Sequence, residues 1–261
     1  MAHKETVQEE FTRQAEAFAA SPTIKDPDRI RRLVDAVAPA TSDRVLELAT
    51  GPGHVALAFA ARCRDVVGVD LTAAPLEIAE RMRAERGISN ARFMRADVES
   101  RLPFGDGEFA AAVCRLSFHH FENPAGVAAE MARVCKAGGK VAVEDIVASE
   151  HPERAAYHNE FERLRDTSHT RFLPLCELIS AIAKAGCDIV SVAAEDVPNP
   201  VNRWLATAQT PPDRAARALA MIERDLKEDR SGTNPRKIGG ELFFTHRMVT
   251  IVARKLDPRP A

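Results

Sequence analysis

The feature that most constrains this fold is a short apolar run that ends at a tight glycine turn. Residues 44–48 form the run, Gly51-Pro52-Gly53 forms the turn, and an alanine-rich helical pattern follows at once. A strand, a glycine turn and a helix in this order bring unpaired backbone N–H groups and a helix N-terminus to a bound nucleotide. A second apolar run ends in Asp70, and an acid at the tip of the second strand is well placed to hold the hydroxyls of a ribose. These residues predict a nucleotide-type ligand without identifying it.

Strand and helix patterns alternate along the first half of the chain. Strands are expected at 44–48, 66–70, 91–96, 109–114 and 140–146, with helices at about 53–62, 73–86 and 124–135. This alternation predicts right-handed βαβ units and a parallel sheet. A sixth strand at 187–194 and a long final strand at 241–254 complete it, the last with the alternating character of an antiparallel edge strand. The predicted fold is α/β, a Rossmann-like seven-stranded, mostly parallel sheet with an antiparallel edge strand and a helical cap.

Charge and cysteine usage exclude several classes of protein. The chain has 36 Lys and Arg residues and 38 Asp and Glu residues, which give a formal net charge of −2. It therefore lacks the excess of positive charge that binding to nucleic acid or an anionic membrane would require. The N-terminus lacks a basic start followed by an apolar core, and no run reaches the roughly 18 apolar residues of a membrane span. Five cysteines without a C-x-x-C motif indicate a reducing compartment. We therefore expect a cytoplasmic protein with no nucleic-acid or membrane partner.

The identity of the nucleotide depends on the acids around the turn. Gly51-x-Gly53-x-x-Ala56 with Asp70 fits a dinucleotide fingerprint, so an NAD-dependent oxidoreductase is an open alternative. Glu47, at the end of the first strand, would set a negative charge against a pyrophosphate. Asp97, at the end of the third apolar run, could accept from an adenine amino group. These acids favour a ligand that contains adenosine and a cationic centre but no phosphates. The final strand pair, 187–194 and 241–254, and the helical insertion between them favour the same ligand, which is S-adenosyl-L-methionine.

Six motifs in order resemble those of a known family. They are Glu47-x-Ala49-x-Gly51-x-Gly53, Val69-Asp70, Ala96-Asp97-Val98, Leu102-Pro103-Phe104, Phe118-His119-His120-Phe121 and 134–140. Together they resemble the class I S-adenosylmethionine-dependent methyltransferases, and are most similar to the branch typified by the ubiquinone/menaquinone-biosynthesis C-methyltransferases. The resemblance covers roughly residues 11–147, and 169–190 and 240–255 more loosely. Ala49 departs from the usual glycine and is expected to keep the turn with a negative φ. Ala110 replaces a usual aspartate.

The resemblance implies a set of cofactor-binding residues. Gly51 and Gly53 would let the backbone approach the methionine part, Asp70 would hold the ribose hydroxyls, and Leu71 would flank the adenine. Asp97 and Val98 would bracket the adenine edge, although Asp97 could instead be a helix N-cap. The full set is Glu47, Ala49, Gly51, Gly53, Asp70, Leu71, Asp97, Val98 and Leu116.

The loop after the fourth strand is where the transferred methyl group is expected. Methyl transfer is an in-line displacement, so the protein mainly supplies orientation and desolvation. An acceptor that must lose a proton needs a base, and a neutral imidazole suits that role near pH 7. His119 and His120 are the candidates, with packing as their alternative role. Glu144 and Asp145 could orient an acceptor hydroxyl or form internal ion pairs, for example with Arg115 or Arg171. No H-E-x-x-H spacing occurs, so no metal is expected.

Three regions with separate roles are predicted. Residues 1–40 form lid helices, 41–150 form the cofactor-binding core, and 151–261 carry the remaining strands with cap insertions at about 151–175 and 196–240. The cap offers an aromatic wall for an acceptor or plain core, built from Tyr157, Phe161, Phe172, Trp204 and His246. The predicted activity is O-, C- or N-methylation of a small, partly aromatic metabolite, with S-adenosyl-L-homocysteine as product. A protein of this fold that catalyses another reaction, such as cyclisation, is an alternative, and a homodimer is left open.

Overall fold

A computed structural model of the chain describes residues 3–257. Its helices are α1 His3–Arg13, α2 Ala15–Ala20, α3 Pro27–Val37, α4 His54–Ala60, α5 Ala73–Glu85, α6 Pro124–Val134, α7 Pro152–Arg165, α8 Leu175–Lys184, α9 Val201–Thr207 and α10 Pro212–Asp225. Its strands are β1 Arg44–Leu48, β2 Asp65–Asp70, β3 Ala91–Arg95, β4 Phe109–Arg115, β5 Cys135–Val147, β6 Cys187–Pro200, β7 Arg236–Ile238 and β8 Glu241–Lys255. A short 3-10 turn, Phe118–His120, follows β4.

The strands form one sheet in the order β3-β2-β1-β4-β5-β8-β6, and β7 adds to β8. Strands β1 to β5 pair in parallel, whereas β8 is antiparallel to both β5 and β6. The predicted α/β class and mostly parallel sheet are confirmed. The position of the antiparallel strand differs from the prediction. β8 is the antiparallel strand, but β6 lies outside it and is the edge strand of the sheet. β6 runs in the direction of β5, and β8 fills the gap between them.

Helices cover both faces of the sheet because its central strands are apolar on both sides. Leu46 and Leu48 of β1 pack into one core with α6 and α8. Val45 packs into a second core with α3 and α4 on the opposite face. The crossover connections between β1 to β5 give these strands one direction, so their carboxyl ends lie at one edge of the sheet.

Two elements differ from their predicted bounds. The pattern at 5–20, within the predicted lid helices, indicates one amphipathic helix, whereas the structure divides it at Gln14 into α1 and α2. Strand β5 begins at Cys135 rather than at 140, and its register with β4 jumps from Phe109↔Cys135 to Ala111↔Lys140. Residues 136–139 therefore form an irregular bulge, which the glycines in that stretch permit.

The helices after β5 form a separate apolar cluster over the sheet. Phe161 of α7, Trp204 of α9 and Phe244 of β8 are its large buried rings, and α10 contributes Met221 and Ile222. Phe161 and Phe244 meet edge to face with centroids 5.5 Å apart. Because this cluster joins α7, α9 and α10 to β8, the helices stand on the antiparallel strand rather than on the parallel ones.

Within residues 3–257, no helix combines the length and the apolar character that crossing a membrane would need.

Candidate functional site

The turn between β1 and α4 has an unusual backbone. Ala49, Gly51 and Gly53 all adopt positive φ, at 51°, 51° and 78°. The expectation of a negative φ at Ala49 is wrong, and a left-handed alanine stores strain of about 1–2 kcal/mol. An added Cβ at Gly53 would lie 2.8 Å from both Ala79 Cβ and the ring of Phe93, whereas one at Gly51 would meet nothing within 4 Å. Gly53 therefore serves close packing, and Gly51 lies at an open surface.

Asp70, at the end of β2, holds the turn in place. Its Oδ2 accepts from Gly51 N at 2.9 Å, and its Oδ1 accepts from Thr72 N at 2.9 Å. Burial raises the pKa of this carboxyl, while the backbone donors oppose the shift. A carboxylate offers about four lone-pair positions, so two remain for further donors. Asp70 can thus accept hydroxyl groups while it keeps the turn fixed.

Glu47 turns its carboxyl inward beneath the turn. Its Oε2 accepts from Thr50 Oγ1 at 2.5 Å and from Ala56 N at 2.8 Å. Burial raises the pKa of Glu47 to about 8, against the effect of these hydrogen bonds. The side chain is therefore mostly protonated at neutral pH, and the repulsion of a pyrophosphate expected from its charge is weaker than the sequence suggests.

Asp97 lies at the third strand end, where it begins a turn and meets α1. It accepts from Glu99 N, from Ser100 Oγ at 2.9 Å and from Lys4 Nζ at 2.6 Å. Burial opposes its ionisation, but these donors together lower its pKa. The carboxylate therefore belongs to a turn rather than to a helix N-cap, and a lysine of α1 engages it.

The residues predicted for the cofactor converge on one cavity, which we call the first cavity. All of them except Gly53 line it: Glu47, Ala49, Gly51, Asp70, Leu71, Asp97, Val98 and Leu116. Val7 and Phe11 of α1 also line it, together with Phe18 of α2. The cavity thus combines carboxylates on its sheet side with an apolar cover from the N-terminal helices.

A second cavity lies beside the first and opens toward the helices after β5. His119, His120, Glu162, Trp204 and His246 are among the residues that line it. The two cavities share Phe18, Ile24, Leu116 and His120 as lining residues. Leu116 adopts φ 52°, a strained conformation for a leucine, at the point where the cavities meet.

His119 and Asp145 form a hydrogen-bonded pair on the wall of the second cavity. His119 Nδ1 lies 2.7 Å from Asp145 Oδ1, and the Asp145 side chain is 2% exposed. An ionised carboxylate only accepts, so Nδ1 carries the proton and Nε2 is left with a lone pair. The pair can therefore take up a proton at Nε2.

His120 lies between the two cavities and is held differently. Its Nδ1 donates to the carbonyl oxygen of Ser168 at 2.9 Å, and its ring meets Phe11 edge to face. Burial lowers the pKa of His120 to about 4, and the neighbouring His119 acts in the same direction. The ring is neutral through the physiological range and is a weak base.

Glu144 has a structural partner rather than an open side chain. Its Oε1 accepts from Arg115 Nε at 2.6 Å in a buried ion pair, and Thr250 Oγ1 donates to its Oε2. Arg115 also donates to the carbonyl oxygens of Thr23 and Ile24. The ion-pair alternative for Glu144 is therefore the one observed, and it ties the segment after α2 to the end of β4. Arg171 pairs instead with Glu177.

Sequence reasoning missed Glu162 and His158, and it named His246 only as a possible part of the cap wall. Glu162 is 1% exposed, and its Oε1 accepts a hydrogen bond from His246 Nε2 at 2.6 Å. His158 Nε2 lies 3.6 Å from the same oxygen. His158 and Glu162 are four residues apart on a predicted helix, which puts them on one face, and this spacing was the available signal. The contribution of His246 from β8 is visible only in the folded chain.

The chain is similar in sequence and in fold to known methyltransferases. Residues 46–143 match a family model described as a methyltransferase domain. The chain is 29% identical over 220 residues to the uncharacterized methyltransferase YcgJ of Bacillus subtilis, covering 84% of this chain and 87% of that protein. The solved structure of YcgJ aligns with TM-score 0.84 and 27% identity, over 88% of this chain and 99% of its own.

Two further relatives are more distant. Demethylmenaquinone methyltransferase of Thermus thermophilus is 37% identical over 115 residues, which are 43% of this chain and 51% of that protein. The [4+2]-cyclase SpnF aligns with TM-score 0.64 at 22% identity over 88% of this chain and 81% of its own, a likeness of fold. From the glycine turn, the sheet order and these matches, the chain belongs to the class I S-adenosylmethionine-dependent methyltransferases.

Proposed function

We propose that this chain transfers a methyl group from S-adenosyl-L-methionine to an O, C or N atom of a small, partly aromatic metabolite. The observation that carries the proposal is the meeting of two cavities at Leu116 and His120. One cavity is lined by carboxylates at the strand ends and the other by aromatic rings and imidazoles. A donor in the first and an acceptor in the second would face each other across this junction.

The side chains of the first cavity suit the proposed cofactor. Asp70 keeps lone pairs for ribose hydroxyls, and Asp97 can accept from an amino group once Lys4 yields its place. In this proposal Glu47, Ala49 and Gly51 would face the methionine part, Gly53 would keep the turn closely packed, and Leu71, Val98 and Leu116 would supply apolar contact. When bound, S-adenosyl-L-methionine supplies a methyl group on a sulfonium. The chain's part is to orient it and to exclude water.

His119 is the base in this proposal, with Asp145 as the residue that positions it. Asp145 fixes the proton on Nδ1 and stabilises the imidazolium that forms when Nε2 takes a proton from the acceptor. His120 is the weaker candidate because burial lowers its pKa to about 4. It lies where it can contact both ligands and shape the passage between the cavities.

The acceptor in this proposal is a small molecule rather than a nucleic acid. The net charge of −2 and a second cavity lined by histidines, aromatic rings and charged side chains of both signs support this. Four of the described cysteines are buried free thiols and Cys176 is an exposed one, which supports the cytoplasm as the place of action.

A screen tests the proposal directly. The purified chain is incubated with S-adenosyl-L-methionine and a panel of phenols, quinols and amines, and S-adenosylhomocysteine is quantified. We expect at least one acceptor to give S-adenosylhomocysteine in equal amount with its methylated product. Conversion of an acceptor without any S-adenosylhomocysteine would favour the cyclase alternative, for which the fold likeness to SpnF is the specific observation.

A further inference from the structure

Three side chains to which the proposed methyl transfer assigns no step converge at the second cavity. His158 and Glu162 come from α7 and His246 from β8, and their ligand atoms all lie within 4.8 Å of one another. All three residues are buried. Glu162 Oε1 is shared between the histidines, at 2.6 Å from His246 Nε2 and 3.6 Å from His158 Nε2. We call these residues the His-Glu-His cluster.

The fold holds the cluster on rigid elements. His158 and Glu162 are one helical turn apart on α7, so their side chains project from the same face. His246 is paired across the sheet with Val197 of β6, and its ring stacks over His158 with centroids 5.5 Å apart. The aromatic core of Phe161 and Phe244 lies beside it. Residues on a helix and an internal strand keep a set of ligands in place better than residues on loops do.

One nitrogen of the cluster has no partner. His158 is 2% exposed, and its Nε2 makes no hydrogen bond to any residue in the described range 3–257. The 3.6 Å separation from Glu162 is too long for a hydrogen bond. A buried polar atom without a hydrogen-bond partner calls for an explanation, and a cation bound between His158 Nε2, Glu162 and His246 would provide one.

Two imidazoles and one carboxylate are a ligand set of defined preference. Imidazole nitrogen suits Zn²⁺ and other late transition-metal ions, and a His₂Glu set leaves at least one coordination position open. Because Glu162 and His246 line the second cavity, an ion held by them is reachable from it. Arg165 approaches Glu162 Oε2 at 3.9 Å and leaves Oε1 as the ligand oxygen.

Metal binding by His246 also requires a change at Asn199, whose side-chain amide contacts the other ring nitrogen of His246. Binding through His246 Nε2 puts the ring proton on Nδ1, which lies 3.1 Å from the Asn199 side-chain amide. A half-turn of that amide presents its oxygen to Nδ1–H and gives up its 2.9 Å contact with the carbonyl oxygen of Val197. The metal-bound state therefore differs from the present one in three respects: the position of the His246 ring proton, the orientation of the Asn199 amide, and the loss of the 2.6 Å hydrogen bond between His246 Nε2 and Glu162.

We propose that His158, Glu162 and His246 form a binding site for one divalent transition-metal ion of the Zn²⁺ class on the wall of the second cavity. The site stands whether or not the proposed methyl transfer is correct, because metal binding is measured without cofactor or acceptor.

Metal titration of the chelator-treated full chain tests this site. Zn²⁺ is added in competition with a chromophoric chelator, and we expect one equivalent to bind. Glu162→Gln and the double variant His158→Ala/His246→Ala should each lower the affinity by more than about 100-fold, since even outer-shell changes cost 10–100-fold. His151→Ala, an exposed histidine seven positions before His158, is the matched control and should bind as the unaltered chain does. Binding that survives the double variant overturns the proposal.

A second measurement covers variants that fail to fold. X-ray absorption on the unaltered Zn²⁺-bound chain should show only nitrogen and oxygen ligands, with outer-shell scattering from two imidazoles. A sulfur ligand would place the ion at a cysteine and overturn the site, as would binding of less than one equivalent.

Discussion

Glu47 is the residue whose state in the fold differs most from its state in water. Burial raises its pKa from 4.5, the ordinary value of a glutamate, to about 8, so the folded chain keeps a proton that the unfolded chain has lost at neutral pH. The stability that this contributes is present below about pH 4.5 and is lost as the pH rises through about 8. The loss amounts to about 3–5 kcal/mol over that window.

This titration can be isolated with Glu47→Gln, whose amide mimics the protonated acid. Urea unfolding of both proteins is compared from about pH 5 to about pH 9, and the unaltered chain should lose stability relative to the variant as the pH rises. Glu85→Gln, at an exposed carboxyl ending α5, is the control. A difference between Glu47→Gln and the unaltered chain that stays constant with pH would show that Glu47 ionises normally.

His119 is the second residue with a testable role. Replacement by alanine removes the only proposed proton acceptor, so kcat should fall about 10²–10⁴-fold while the affinity for S-adenosylhomocysteine is retained. Asp145→Asn should give a smaller loss of kcat because the ring remains but its orientation is no longer fixed. Turnover is followed with whichever acceptor the screen identifies. Full turnover in His119→Ala together with loss in His120→Ala would transfer the role to His120.

The sequence identified residues of the site through local pattern and missed those that depend on tertiary contact. Asp70 and Asp97 follow short apolar runs, and parallel strands bring such ends to one edge. The pKa of Glu47, the positive φ of Ala49 and the contact of Lys4 with Asp97 follow from neighbours that are distant in sequence. No local pattern encodes them.

At the scale of elements, the turn between β1 and α4 contains two glycines, Gly51 and Gly53, that can be compared by the same substitution. Both have positive φ, which costs a non-glycine residue about 1–2 kcal/mol. A Cβ at Gly53 would also press on Ala79 and Phe93 at 2.8 Å, whereas one at Gly51 meets open space. Overpacking of this kind adds roughly 1–3 kcal/mol.

Gly53→Ala should therefore destabilise the chain by about 3 kcal/mol and Gly51→Ala by only about 1–2 kcal/mol. Urea unfolding of the two variants beside the unaltered chain measures both. Equal losses would mean that close packing of the turn against α5 and β3 contributes nothing.

The strands were more predictable than the helices that follow them. β1 to β4 are short apolar runs bounded by polar turns, so hydrophobic period alone locates them. β6 runs on to Pro200, beyond its predicted end at 194. Pairing with β8 satisfies backbone groups of residues 195–200, where two acids and two prolines give no strand pattern. The break at Gln14 between α1 and α2 could not be predicted either, because no proline or glycine lies there to indicate it.

At the scale of the molecule, the sheet and the helices that follow β5 form different cavities. The carboxyl ends of β1 to β4 line the first cavity, and the helices standing on β8 enclose the second. The buried Arg115–Glu144 pair, with Arg115 bonded to Thr23 and Ile24, ties the N-terminal segment to the junction. Motion of α1, which engages Asp97 through Lys4 and contacts the His120 ring through Phe11, would therefore act on both the first cavity and the junction.

Calorimetric titration with S-adenosylhomocysteine and, separately, with NAD tests the central claim most directly. The unaltered chain should bind S-adenosylhomocysteine and not NAD. Asp70→Asn should weaken that binding about 10–100-fold, the value of hydrogen bonds to a charged group. Asp65→Asn, at the opposite end of β2 where Arg44 and Arg64 pair with it, should leave the affinity unchanged. Binding of NAD in place of S-adenosylhomocysteine, or unchanged affinity in Asp70→Asn, would contradict the account.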